Sequence, residues 1–405
     1  MSICFEIEKC EVCYSDDLVP VLDLGLHPMC DDLVEVGSTR ECQKFPIDIL
    51  YCNDCHTAHQ RYQVPKDQLF PKNYHYRSRF TADVLSGMSA LVESVEQNVG
   101  DIAGLTILDI GCNDGSLLDR FAAKGGKTIG VEPTGACADA EGRGHIIIND
   151  FFSQKVSEHI VRDHGHIDII TFTNVFAHIE DLPGLLNSLQ TVMRDETVLV
   201  IENHYLGAVL SRNQFDTFYH EHPRTYSLHS FVKIAQTLGR NVIAVEFPQR
   251  YGGNVRVMIG KVGSASSENT QFIETALASE VTFCDKFTEM RVFMEQWRVE
   301  KRAQIDAAIK EHGKIIAKAF PGRSAILVEL LGLTADEVEC VYEKPGSLKI
   351  GHYLPGTKIP IRSDEELFAK IRDVPFMLNL AWHIPEEIET YLRSQHFTGN
   401  LLHIV

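Results

Sequence analysis

Positive charge is scarce in this chain: 38 Lys and Arg face 56 Asp and Glu, for a formal net charge of −18 at pH 7. Binding to nucleic acid depends on Lys and Arg at the phosphates, so a polyanion-binding surface is not expected. A local basic pocket for one small anionic substrate is not. No uninterrupted apolar run of membrane-spanning length occurs. The start, Met1-Ser-Ile-Cys-Phe-Glu6, has no basic segment followed by an apolar one, so a signal peptide is not expected. Internal repeats and low-complexity tracts are also missing. Eleven cysteines are an odd count for an oxidising compartment. They suit a reducing one, with some acting as metal ligands, and the expected location is the cytoplasm. A chain of 405 residues that is 44% hydrophobic is expected to fold as two or three globular domains.

The most informative stretch is Ile107-Leu-Asp109-Ile-Gly111-Cys-Asn113-Asp114-Gly115-Ser116, an apolar run that ends in a glycine-rich turn before a helix-like segment. A second apolar run ends in an acid, Ile129-Gly-Val-Glu132. A strand running into such a turn lets a ligand approach the backbone at a helix N-terminus. An acid closing the next strand can take both hydroxyls of a ribose. The turn lacks Gly-x-Gly-x-x-Gly, which argues against a dinucleotide. Asp-x-Gly-x-Asn-Asp-Gly looks instead like the first motif of the class I S-adenosylmethionine (SAM) methyltransferases. The plainer alternative is that any α/β protein needs a glycine where a strand turns into a helix.

Between about 78 and 260, apolar runs alternate with helical patterns, the signature of a parallel sheet with crossover helices. The expected strands are Thr106–Ile110, Thr128–Val131, His145–Ile148, Ile167–Thr171, Thr197–Glu202, Asn241–Phe247 and Arg256–Gly260. Before them, residues 1–75 hold short β-like runs, Val19–Leu24 and Phe45–Tyr51, and seven of the cysteines. After them come a polar hinge (Ser264–Thr270), a charged helical stretch (Gln271–Glu311) and a last α/β unit. That unit has expected strands at Ser324–Leu327, Glu339–Tyr342 and Phe376–Asn379.

Cys10-Glu-Val-Cys13 and Cys52-Asn-Asp-Cys55 are two Cys-x2-Cys pairs. Each can turn two thiolates toward one ion, and together they complete a closed tetrahedral zinc site with a structural role remote from the chemistry. So small a module cannot otherwise bury enough apolar surface. Unrelated buried thiols, or disulfides in an exported protein, are the alternatives. Cys4, Cys30 and Cys42 have no paired partner in the sequence.

Phe215-Asp-Thr-Phe-Tyr219-His220-Glu221-His222-Pro223-Arg-Thr-Tyr226-Ser227 gathers ionisable and aromatic groups just after Glu202-Asn-His-Tyr205, at the end of a strand. In open parallel sheets ligands lie beyond the carboxyl ends of the strands, so an acceptor substrate belongs here. Proton abstraction there needs a His with a near-neutral pKa and a group to orient it. Asn174-Val-Phe-Ala-His178 and Tyr74-His75-Tyr76 could converge on the same cleft. The rival readings are a non-haem metal site built from His220, His222 and a carboxylate, and a polar loop of satisfied histidines.

The Cys4 module, the SAM motif with Asn-Val-Phe-Ala-His178 and Tyr219-His-Glu-His222, and Tyr353-Leu-Pro-Gly-Thr-Lys-Ile-Pro360 together resemble the sugar C-methyltransferases. Members of that family act on nucleotide-linked 4-keto-6-deoxyhexoses, notably at C-3. The resemblance covers nearly the whole chain. It implies an α/β protein in four parts: a zinc-binding module (1–75), a class I SAM methyltransferase domain with its catalytic loop (76–263), a helical linker (264–313) and a smaller C-terminal Rossmann-like domain (314–405). It makes His222 the base that removes the proton beside the ketone, with Tyr219, Glu221, His178 and Tyr76 around the sugar. If Tyr219, Glu221 and His222 are all to face one sugar, the segment must be an irregular loop. His178 and Tyr219 are candidate enolate donors, and Glu221 a partner of the base or a ligand of a sugar hydroxyl.

SAM would be held by Asp109, Gly111, Asn113, Asp114, Gly115, Glu132 and Asn174, with Asn149, Asp150, Phe151 and Phe152 flanking the adenine. Zinc would be held by Cys10, Cys13, Cys52 and Cys55. The family's strand–turn–helix pattern Gly-Tyr-Gly-Ala-x-x-Lys-Gly departs here to Ala319-Phe-Pro-Gly-Arg-Ser-Ala-Ile-Leu, which leaves nucleotide handling by the C-terminal unit open. An O- or N-methyltransferase for another acceptor, and an inactive zinc-module interaction protein, are the competing functions. The nucleotide, the sugar and the oligomeric state are not legible.

Overall fold

The structure, a computed structural model, describes residues 4–69, 79 and 82–405. Tyr74, His75 and Tyr76 lie outside them. At the centre is a seven-stranded sheet whose strands, numbered along the chain, are β1 (Thr106–Ile110), β2 (Lys127–Val131), β3 (Ile146–Ile148), β4 (Ile167–Thr173), β5 (Met193–His204), β6 (Asn241–Glu246) and β7 (Asn254–Gly260). Their order across the sheet is β3-β2-β1-β4-β5-β7-β6, and β7 runs antiparallel to both of its neighbours. Ile107, Leu108, Ile169, Ile170, Leu199, Val200 and Ile201 are all fully buried. A strand covered by helices on both faces must read as an apolar run, which is why these strands stand out in the sequence. The order reverses between β1 and β4, so the crevice for a ligand opens at their carboxyl ends.

The N-terminal sheet is built from Leu18–Pro28, Lys44–Cys52 and Ala58–Gln60. Its fourth strand, Arg224–Thr225, comes from the polar segment that follows β5. The charged stretch after residue 264 forms two helices, Ser267–Glu280 and Phe283–His312, where one region was expected. The second lays Phe287, Met290 and Trp297 into a core shared by the N-terminal sheet and the C-terminal unit. Its Trp297 indole donates to the Ile404 carbonyl at 2.7 Å.

The C-terminal unit is a five-stranded, wholly parallel sheet. Across it the order is Ile361–Ser363, Val338–Glu343, Ile315–Lys318, Phe376–Asn379 and Asn400–His403, that is, third, second, first, fourth and fifth along the chain. The strand expected at Ser324–Leu327 is instead the start of a helix, Ser324–Leu330. A short buried apolar run has no period that separates strand from helix. The strand lies just before it, at Ile315–Lys318, so residues 315–330 form a strand, a turn and a helix. Tyr353 from the Tyr-Leu-Pro-Gly-Thr-Lys-Ile-Pro motif pairs with Val34, and its hydroxyl accepts from Gly37 N–H. That motif is a seam between the first and last modules.

Candidate active site

At the carboxyl end of β1 the chain turns through Gly111 (φ 76°), Asn113 (φ 49°) and Gly115 (φ 77°). A Cβ on Gly111 would lie 2.5 Å from Val175, and one on Gly115 2.8 Å from Ala140, so only glycine fits either place. Glu132, which follows β2, is buried beneath this turn. Its Oε2 accepts from Asn113 N–H at 3.0 Å and its Oε1 from Thr134 N–H at 2.9 Å. A carboxylate has about four lone-pair sites, so both oxygens keep capacity for hydroxyls.

Asp109 is buried, accepts from the Thr171 hydroxyl at 2.7 Å, and is pushed up to about 7 by burial and by Glu132. Asp114 caps the turn by accepting from Ser116 and from Arg79 N–H. Asn174 (φ 54°) accepts from the Asn254 amide at 3.3 Å. Asn149 donates to the carbonyls of Glu132 and Thr134, which ties it to the end of β2. Asp150 and Phe151 are exposed, and Lys66 stands 4.9 Å over the Phe151 ring.

Within the polar segment, residues 219–222 form a turn ahead of the short strand Arg224–Thr225: His222 N–H bonds the Tyr219 carbonyl at 2.9 Å. Imidazole Nδ1 of His222 faces the Thr217 carbonyl at 3.3 Å, and a carbonyl can only accept. Nδ1 therefore carries the proton and Nε2 the lone pair, which accepts from the Tyr219 hydroxyl at 2.9 Å. Two further imidazoles flank this ring, with centroids 4.8 Å (His178) and 5.6 Å (His204) away. Burial, and then the neighbouring His178 and His204, hold His222 well below the ordinary histidine pKa. Burial lowers His178 too, against the pull of the Glu221 and Asn174 carbonyls, and takes His204 down to about 3. A buried histidine stays neutral because its cation loses water, so the lone pair is retained far below neutrality, and His222 departs from the near-neutral pKa expected of the base.

Glu221 is pushed up to about 8 by burial and by Asp31, against Lys349. Its side chain is not a partner of His222; the Thr217 carbonyl orients that ring. His220 points away from the cleft, donating to the Phe45 carbonyl at 3.2 Å. The proposal of a metal shared by His220 and His222 therefore fails. Among the described residues, one cluster alone gathers His, Cys, Asp or Glu closely enough to share an ion, and it is the four cysteines.

Several neighbours of the cleft were not legible in the sequence. Asp216 is gripped by Arg323 through two bonds (2.7 and 2.9 Å) and by the Trp382 indole (2.9 Å), both from the C-terminal unit. His383 is held down to about 4 by burial and by Arg323, and Arg323 also lowers His204. These residues close the cleft from more than a hundred positions away in the chain. No local pattern announces them.

Cys10, Cys13, Cys52 and Cys55 place their sulfurs within 4.8 Å of one another, with Cys10–Cys55 at 3.4 Å and Cys13–Cys52 at 3.5 Å. Zinc–thiolate bonds of about 2.3 Å put tetrahedral sulfurs roughly 3.8 Å apart, so the set fits one zinc ion. Both pairs turn alike. Tyr14 (φ 62°) and His56 (φ 55°) each follow the second cysteine in left-handed conformation, and their N–H groups bond the Cys10 and Cys52 carbonyls.

Three protein families match this chain in sequence. Residues 10–70 match one described as "Putative zinc binding domain", residues 75–245 "Methyltransferase domain" and residues 249–403 "C-methyltransferase C-terminal domain". The C-methyltransferase NovU of Streptomyces niveus is 29% identical over 388 residues, which is 94% of this chain and 91% of NovU. The chain is a SAM-dependent C-methyltransferase. Its SAM-dependent domain has the class I fold, with a zinc-binding module before it and a C-methyltransferase domain after it. The ubiquinone biosynthesis O-methyltransferases of Acinetobacter baumannii (strain AYE) and Rhodopseudomonas palustris (strain BisB5) also match, at 26% and 28% identity. Those matches take in 25% and 28% of this C-methyltransferase and 44% and 42% of theirs. No helix among the described residues is long and apolar enough to cross a membrane.

Proposed function

We propose that this C-methyltransferase acts on a nucleotide-linked 4-keto-6-deoxy sugar and methylates the carbon beside the ketone, C-3, in branched-sugar biosynthesis. The observation that carries the reading is the placement of His222 beside His204 at the end of β5, its Nδ1 held by the Thr217 carbonyl and its Nε2 lone pair turned to the Tyr219 hydroxyl. A C–H bond has no lone pair to give, so carbon becomes nucleophilic only after deprotonation, and a neighbouring ketone makes that proton removable. SAM, when bound, supplies the electrophilic methyl group.

His222 Nε2 takes the α-proton. The Tyr219 hydroxyl, now bonded to that nitrogen, yields it to the substrate and turns its O–H to the enolate oxygen forming alongside. Glu221, protonated near neutral pH, offers a second donor for the enolate or a sugar hydroxyl. His178 serves less well as an enolate donor, since two backbone carbonyls face its ring. Asp109, Gly111, Asn113, Asp114, Gly115, Glu132 and Asn174 shape the SAM side, with Asn149, Asp150, Phe151 and Phe152 toward the adenine. They bring the methyl into line, where alignment supplies most of the remaining help. Tyr76 is assigned to the sugar by family resemblance alone.

The C-terminal unit supports the nucleotide. Glu343 ends its second strand and accepts the backbone N–H of Phe320 in the turn after its first, the same relation as Glu132 has to Asn113. When the eight-residue family pattern is laid on this strand–turn–helix so that it ends at Ser324, Arg323 takes the place of the lysine. The cation is retained.

The test is incubation with SAM and a panel of TDP-, GDP- and CDP-linked 4-ketosugars, read by mass spectrometry for gain of one methyl. His222→Asn is expected to lose roughly 10²-fold or more in turnover with SAM affinity unchanged. Wild type should also exchange the substrate α-proton with deuterated water when the demethylated cofactor product replaces SAM, and the variant should not. Methylation of an acceptor that has no acidic C–H would sink the proposal.

A further inference from the structure

We infer that the zinc knuckle positions the catalytic segment: Glu11, inside the first Cys-x2-Cys, holds the fully buried Arg224, two residues past His222, through an ion pair. The inference rests on the reading of His222 as the base. Arg224 has no exposed surface, and its Nη1 lies 2.7 Å from Glu11 Oε2. His59 sits between knuckle and pair, its Nε2 3.3 Å from Cys10 Sγ and its Nδ1 3.5 Å from Glu11 Oε2.

The backbone is tied down as well. Arg224 pairs with His59 as the outer strand of the N-terminal sheet, and Gln60 N–H bonds the Pro223 carbonyl at 2.9 Å. The Gln60 amide reaches the Tyr219 carbonyl at 3.3 Å. On the far side, the Ser227 hydroxyl donates to the carbonyl of Cys55, itself one of the four cysteines. The turn that carries Tyr219 and His222 is thus anchored, before and after, to residues in or beside the two knuckles. An ion pair whose guanidinium is fully buried and a shared sheet edge admit little slack, and small misplacements of a base are costly. Zinc fixes the two knuckles relative to each other, and this chain's own residues pass that geometry to the base. Glu11 and Arg224 are positioning residues; neither touches the substrate.

Glu11→Gln keeps the shape of the side chain and removes the charge. Zinc content, by metal analysis, and SAM affinity, by calorimetry, are expected to match wild type. The amides of 219–227 should exchange with deuterated water at least about tenfold faster while those of β1 and the glycine turn stay as protected as before. Turnover should fall by roughly 10²-fold with the KM for the acceptor little changed. Glu11→Asp, which keeps the charge, should recover part of both. A second arm strips the metal from wild-type enzyme with a chelator and reads exchange alone, where 219–227 should lose protection before β1 does. Wild-type exchange at 219–227 in both arms would overturn the inference, as would a uniform loss of protection across the molecule. Full turnover in His222→Asn would overturn the base reading instead, and leaves the exchange result to judge the anchoring.

Discussion

Each oxygen of Glu132 accepts a backbone N–H at the turn where SAM is proposed to bind, which gives one residue two duties. Removing the carboxylate should weaken SAM binding by roughly 1.5–3 kcal/mol for each charged hydrogen bond to the ribose, and should also leave the Asn113 and Thr134 amides unpaired. Glu132→Ala is therefore expected to bind SAM at least about tenfold more weakly and to unfold at lower urea even without SAM. Glu132→Gln, which can still accept one of those amides, should fall between the two. Calorimetry beside urea titration separates the effects, and wild-type SAM affinity in the alanine variant would remove Glu132 from the cofactor site. This residue was legible because strand, turn, helix, strand and acid follow one another locally. The same holds for the cysteine pairs and for the crowded segment around His222. Arg323, Trp382 and His383 were not legible as neighbours of the cleft, because only tertiary packing brings them there.

The C-terminal unit meets the cleft through Trp382 and through the turn between Lys318 and Ser324, whose Arg323 binds Asp216 beside the carbonyl of Thr217 that orients His222. Asp216 is 1% exposed. Truncating one partner of a buried ion pair leaves the other charged and out of water, which typically costs about 3–5 kcal/mol. Arg323→Ala should lose stability on that scale, reduced by the Trp382 bond that Asp216 keeps. Arg323→Lys keeps the charge without the two-pronged geometry and should recover part of the loss. Equal urea midpoints for wild type and Arg323→Ala would show that the pair is not holding the units together. Sequence reasoning misplaced this element for a physical reason. Ser324-Ala-Ile-Leu-Val is apolar and short, so a buried helix and a buried strand look alike there, whereas the seven central strands lie between helical patterns that frame them. The first strand of the unit, Ile315–Lys318, follows the long charged helix after two residues, with only Gly313 to mark the break.

Across the whole molecule, burial has shifted two sets of groups in opposite senses, and together they set where the fold is most stable. His27, His178, His204, His220, His222 and His383 all have pKa values lowered from 6.5, with burial the largest cause, to about 4 for His220 and His383 and about 3 for His204. A histidine whose folded pKa is lowered takes up its proton first in the unfolded chain, so stability falls as pH drops below about 6.5. Glu221 and Asp109 are raised, to about 8 and about 7, with burial again leading. Their protons are held longer by the folded state, so their contribution is present at low pH and is lost as pH rises through 7 and 8. Burial also lowers His56 and His59 and raises Asp48, so among the described residues eight histidines outweigh three carboxyls below 6.5, while above it Glu221 and Asp109 act. The net charge of −18 at pH 7 adds self-repulsion that grows in the alkaline direction. The urea midpoint should therefore peak near pH 6.5, fall steeply toward pH 5 and decline gently toward pH 8. A midpoint still climbing between 6.5 and 8 would mean that Glu221 and Asp109 are ionised in the folded protein, and Glu221 would then lose its role as a donor. A midpoint flat from 5 to 6.5 would mean that the cleft histidines are not held neutral, and the lone pair assigned to His222 would have to be found elsewhere.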